Sequence, residues 1–117
     1  DTTELLNRTK KFALDYIEFF QRLPKTDEAK IIGNTSEVNY ISGCKLQGCL
    51  QSQVKAGFYA KTCIVVEELD ESLFWLELLK ESGIGDGALK KKLICEAEEL
   101  VQIFSSTRKS TKEHLNQ

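Results

Sequence analysis

The chain has 117 residues, 41% of them hydrophobic and 29% charged, with one proline, seven glycines and a formal net charge of -2. These values fit one compact domain able to bury roughly 65% of its unfolded surface, and they exclude a collagenous chain, a disordered chain and a second full domain. Sixteen basic residues against eighteen acidic ones do not advertise a nucleic-acid partner. No apolar run reaches the ~18 residues that a membrane span needs, and a start with Asp1 and Glu4 lacks the basic and apolar regions of a signal peptide. The expected setting is cytoplasmic, without membrane contact.

The first element is a helix, expected over about 3–22. Leu5, Thr9, Phe12, Ala13, Tyr16, Ile17, Phe20 and Leu23 follow steps of three and four along one stripe. Asp1 or a following threonine can cap it, and Pro24 ends it. Phe12, Tyr16 and Phe20 mark the core face, which leaves Phe19 pointing off it.

A second helix opens at Thr26, a capping residue, with Asp27 and Glu28 in the first turn, where the helix dipole favours acids. Ala29, Ile31 and Ile32 follow. From Thr35 the helical pattern stops: TSEVNYISGCKLQGCLQSQV carries glycines at 43 and 48, β-branched residues and no sustained stripe. By itself that run reads as a loop or weak hairpin, yet an irregular insertion of that length between strong helices is uncommon in a compact domain.

The third helix, expected over about 53–82, has the longest stripe: Phe58, Thr62, Val65, Val66, Leu69, Leu73, Leu76 and Leu79. It stops at Ser82 and Gly83, and its outer face carries Glu67, Glu68, Asp70, Glu71, Glu77 and Glu81. Asp86 then caps a last helix, expected over about 87–106, whose stripe is Leu89, Leu93, Ala97, Leu100, Val101 and Phe104. The polar residues 107–117 are expected to fray.

Four segments of the chain resemble one known family. EELDESLFWLELLKESG at 67–83, RTKKFALDYIEFFQRLPK in the first helix, KIIGN at 30–34 and FYAKTCIVV at 58–66 agree in the order and spacing of aromatic, acidic and leucine positions with the proteins encoded in intervening sequences of 23S ribosomal RNA genes. The resemblance covers most of positions 8 to 83. It implies an all-α, antiparallel up-and-down four-helix bundle, a single domain over 1–117, assembled as a homo-oligomer, with a pentameric barrel expected. Similar proteins include the accessory factor of diversity-generating retroelements, which works with a reverse transcriptase and its nucleic acid.

Between Thr35 and Val54 the chain departs from that family, whose second helix reads in the manner of QLLRSGTSVGANYRAACRARSKAEF after IGN. Permitted codons for Tyr40 to Lys55, read one nucleotide later, give TSVGANYRAACRAKSK. The same shift over Thr35 to Asn39 gives LLRSI. We therefore read residues 35–55 as an out-of-frame translation of the family's second helix, arising from an error in reading the gene or from a real pair of compensating insertions and deletions. On this reading the second helix spans about 27–50. The shifted frame would move the net charge from -2 to about +2, and arginines repeated around a ring would suit phosphate binding.

The chemistry that such a chain can host is narrow. Cys44, Cys49, Cys63 and Cys95 form no CxxC pair, and the one histidine, His114, lies near the C-terminus. Reduced structural thiols are expected, with no zinc, no di-iron site and no cofactor. The acidic cluster of the third helix reads as a solvated or subunit-facing surface, because acid-base work needs a desolvated cleft. Lys90, Lys91 and Lys92 could face it from a neighbour or be a plain solvated turn. With no convergent nucleophile, base or metal set, a non-enzymatic protein is expected.

Phe19, Phe74 and Trp75 are the expected oligomer-interface residues, since apolar side chains off the main stripe call for a second buried surface. Arg8, Lys10, Lys11, Arg22, Lys25 and Lys30 are the candidate contacts to RNA or DNA. The leading function is a nucleic-acid or ribonucleoprotein accessory protein. The alternative is a protein-interaction scaffold that never meets nucleic acid.

Overall fold

The computed structural model describes residues 2–36 and 55–116. Within them lie four helices and no strand: α1 (Thr2–Gln21), α2 (Asp27–Ser36), α3 (Lys55–Ser82) and α4 (Gly87–Leu115). The expected extension of the second helix to about residue 50, and the frame question over 35–55, fall largely on residues 37–54, outside the described residues. Cys44 and Cys49 lie there too.

In α1 the stripe buries Thr9, Phe12, Tyr16 and Phe20 as expected. Phe19 is a correction: it is fully buried, not turned away from the core. Phe19 stands seven residues after Phe12, two helical turns on, and drifts only ~20° around the helix from it. Its ring meets Phe20 edge-on at 5.3 Å between centroids, and the Tyr16 and Phe20 rings lie 4.6 Å apart. The helix closes through Arg22 N–H to the Glu18 carbonyl, just ahead of Pro24. Thr26 caps α2 as its sequence suggests, its hydroxyl accepting from Ala29 N–H at 3.2 Å. Ala29 is buried, Ile32 half-buried and Ile31 exposed.

The long helix α3 buries Thr62, Val65, Val66, Leu69, Ser72, Leu76 and Leu79. Two of these carry hydroxyls, and each is satisfied within the helix: Thr62 donates to the Phe58 carbonyl at 2.7 Å and Ser72 to that of Glu68 at 2.9 Å. The helix ends in a Schellman turn. Gly83, at φ +70°, donates its N–H to the Lys80 carbonyl, and Ile84 N–H reaches back to Leu79. Asp86 then caps α4, its Oδ1 accepting from Leu89 N–H at 3.0 Å.

Helix α4 buries Leu93, Ile94, Ala97, Leu100 and Phe104, then continues to Leu115. The expected fraying after residue 106 does not occur. Nothing in SSTRKSTKEHL breaks a helix. Thr107 and Thr111 donate to the carbonyls of Ile103 and Thr107, so their hydroxyls do not compete for backbone amides. Lys112 and His114 in the last turn complement the helix dipole.

Helix α4 packs against both α3 and α1, and α2 lies on α3. Arg8 of α1 meets Glu96 and Glu99, whereas Asp15, further along, meets Lys92. These two helices therefore run in opposite directions. Only residues 83–86 separate α3 from α4, Lys90 bonds the Leu79 carbonyl across that turn, and the two helices pack together, so that pair is antiparallel as well. No described helix is long and apolar enough to cross a membrane.

Candidate functional site

The six cations singled out in the sequence do not form one free surface. Arg8 lies between α1 and α4, with its guanidinium on the carboxylates of Glu96 and, at 2.6 Å, Glu99. The Glu96 hydrogen bond, opposed by partial desolvation, holds that guanidinium above its ordinary pKa. Lys11 sits 3.6 Å from Asp15, which Lys92 also approaches at 3.4 Å, and Arg22 pairs with Glu18 at 2.7 Å. To meet a phosphate, each would have to leave a carboxylate already in place. Lys10, Lys25 and Lys30 are exposed.

The lysine run at 90–92 divides in a way its sequence conceals. Lys90 is only 6% exposed, and its Nζ donates to the carbonyl of Ile84 at 2.8 Å and of Leu79 at 3.2 Å. It closes the C-terminal end of α3 and offers no charge to a partner, which corrects its expected place on an outer basic surface. Lys92 joins Asp15, and Lys91 stays exposed.

Of the expected interface residues, Phe19 belongs to the interior and drops out. Phe74 is 56% exposed. Its ring stands edge-on to half-buried Trp75 at 5.2 Å, and the buried indole N–H of Trp75 has no acceptor among the described residues. Around them Glu67, Asp70, Glu71 and Glu77 face solvent. Ile64, on the same helix, is also exposed. These four acids line an open helix face without the dry surroundings that general acid-base work requires, whereas Glu68, expected on the same outer face, is half-buried with its Oε2 shielded from solvent.

One cluster was not anticipated. At the end of the α3–α4 hairpin away from the turn, Tyr59 and Cys63 stand one helical turn apart, opposite Arg108. The Cys63 hydrogen bond holds the Tyr59 phenol above its ordinary pKa, with Arg108 pulling the other way. Arg108, Lys109 and Lys112 make no ion pair among the described residues. This cluster depends on α4 remaining helical to Leu115, which the polar composition of that segment does not announce. Cys63 and Cys95 are free thiols, and no group of three metal-ligating side chains gathers among the described residues.

The chain matches no protein family, no curated protein and no solved structure among those compared with it.

Proposed function

We propose that this chain is a non-enzymatic, homo-oligomeric protein of the 23S intervening-sequence type, an up-and-down four-helix bundle that works as an interaction scaffold. The helix neighbours support the bundle: α4 lies between α1 and α3, each antiparallel to it, and α2 rests on α3. The observation that carries the scaffold reading is the Phe74 and Trp75 pair. An exposed phenylalanine braced edge-on by Trp75, with Ile64 exposed on the same helix, fits a surface covered by a partner. Another copy of the chain is the partner that the resemblance implies, with a pentamer expected.

The test is mass in solution. Light scattering should give a multiple of the 13.3 kDa protomer, and Phe74→Glu should return the protein to a folded protomer. A protomeric wild type would overturn the reading.

Contact with nucleic acid, in a cytoplasmic ribonucleoprotein or beside a reverse transcriptase, is a second reading. The paired cations of α1 no longer favour it, but the cationic far end of the α3–α4 hairpin does.

A further inference from the structure

Charge is strongly segregated along the α3–α4 hairpin. Between Glu67 and Glu99 the chain carries ten carboxylates and four lysines. Beyond that stretch the balance reverses. From Lys55 to Val66, α3 has two lysines and no acid, and from Leu100 to Leu115, α4 has Arg108, Lys109 and Lys112 against Glu113 alone. Because the two helices are antiparallel, these cationic segments meet at one end of the hairpin.

The helix dipole does not account for this. Its negative end attracts cations within about the last turn. That turn holds Lys112 and His114, whereas Arg108 and Lys109 come earlier. The half charge of a helix terminus is also smaller than the charge of three unpaired cations, so the end stays attractive to anions.

Its composition indicates which anion. A protein interface is depleted in lysine at its centre and enriched in aromatic and apolar groups. Here Ser106 and Ser110 alternate with the cations, both exposed, and Tyr59 is the aromatic group opposite them. Arginine, lysine and serine side chains are the usual contacts to phosphate oxygens. Arg108 and Lys112, one turn apart, are separated by about 6 Å along the axis, roughly the rise of two phosphates on one strand.

We propose that Arg108, Lys109 and Lys112 bind the phosphodiester backbone of nucleic acid without reading its sequence. Tyr59 offers a ring face for an unpaired base. The site extends the nucleic-acid reading and moves it from α1 to the far end of the hairpin.

Binding of labelled single-stranded RNA, and of DNA of the same length, is measured by fluorescence anisotropy from ~50 mM salt upward. The wild type should bind both, with log affinity falling linearly in log salt. Arg108→Glu combined with Lys109→Glu and Lys112→Glu should abolish binding at low salt. The milder pair Lys109→Gln and Lys112→Gln, at exposed positions, should reduce the salt slope by about 1.4. Lys10→Glu with Lys25→Glu and Lys30→Glu should leave binding within twofold of wild type. Loss of binding in that last variant, with the Lys109 and Lys112 pair behaving as wild type, overturns this site and leaves the nucleic-acid reading standing. A wild type that binds neither nucleic acid overturns both. Unchanged RNA binding together with a lower assembly mass in the Lys109 and Lys112 variant overturns the site in favour of an acidic face on another copy.

Discussion

The ammonium of Lys90 lies 2.8 Å from the carbonyl oxygen of Ile84 and, through a second hydrogen bond, 3.2 Å from that of Leu79. A side chain from the first turn of α4 thereby completes the end of α3, where backbone carbonyls lack intrahelical partners. It ties the start of one helix to the stop of the other. Lys90→Met keeps the aliphatic stem and removes both bonds, so that the Ile84 carbonyl loses its ammonium donor while the Leu79 carbonyl keeps only the Ile84 N–H. The expected cost is about 1.5–3 kcal/mol in urea unfolding, whereas Lys91→Met, at an exposed position, should stay within about 0.5 kcal/mol of wild type.

Two glycines of that same turn should respond differently to one methyl group. Gly83 and Gly85 both have positive φ, at +70° and +93°. A Cβ on Gly83 would meet nothing within 4 Å, but one on Gly85 would lie 2.7 Å from a ring carbon of Phe19 and 3.1 Å from a methyl of Leu23. Gly83→Ala carries only the left-handed backbone strain, about 1–2 kcal/mol. Gly85→Ala adds a clash with a ring that has no exposed side to move toward, and its loss should exceed that of Gly83→Ala by about 1–3 kcal/mol. Equal midpoints in parallel denaturant titrations would contradict the packing of Phe19 against this turn.

Phe19 and Phe74 provide a second contrast, between interior and surface. Phe19→Ala opens a cavity in a cluster of aromatic rings and should cost about 3–5 kcal/mol. Phe74→Ala should change protomer stability by less than about 0.5 kcal/mol. Its effect should appear in assembly mass, measured by light scattering over a dilution series.

How much of this was legible in the sequence varied with the range of the interaction. Thr26, Gly83 and Asp86 are local signals, since a cap or stop is made within a few residues of itself, and all three act where their sequence places them. The stripes of α1, α3 and α4 likewise predict most of the core. Phe19 was misplaced because a stripe drawn through Phe12, Tyr16 and Phe20 alone is too narrow. Its ring also covers Gly85 in a distant turn, which periodicity cannot foresee. Arg8 looked free because its partners, Glu96 and Glu99, stand on another helix. Lys90 looked solvated because three adjacent lysines point in three directions from a helix, and only packing decides which one is buried. The candidate site moved partly for the same reason: an ion pair between helices occupies Arg8, pairs four residues apart occupy Lys11 and Arg22, and a longer α4 supplied other cations.

The Arg8 bridge gives a prediction about salt. Arg8 holds two carboxylates of α4 from α1, and all three side chains keep some exposure. Arg8→Ala should therefore cost no more than about 1 kcal/mol at low ionic strength. Most of that difference should vanish at ~1 M salt, where the screening length is ~3 Å. A loss that persists at high salt would mean that the arginine stem contributes through packing instead of charge.

Tyr59 reports on the far end of the hairpin directly. Its phenol is held above the ordinary tyrosine pKa, first by the Cys63 hydrogen bond and then by partial desolvation, while Arg108 acts in the opposite direction. A group whose folded pKa is raised contributes stability that is present below its unfolded pKa and is lost as pH rises through the folded one. Tyr59 should therefore add a loss of stability that begins at the unfolded tyrosine pKa and is complete once the phenol ionises in the folded protein. Ultraviolet difference titration of Tyr59→Phe against wild type isolates this phenol from the other tyrosines. In the same assay Cys63→Ala should lower its pKa, and Arg108→Gln should raise it further by removing the charge that stabilises phenolate. If Arg108→Gln leaves the titration unmoved, α4 does not bring that guanidinium opposite α3, and the cationic end described above loses its central member.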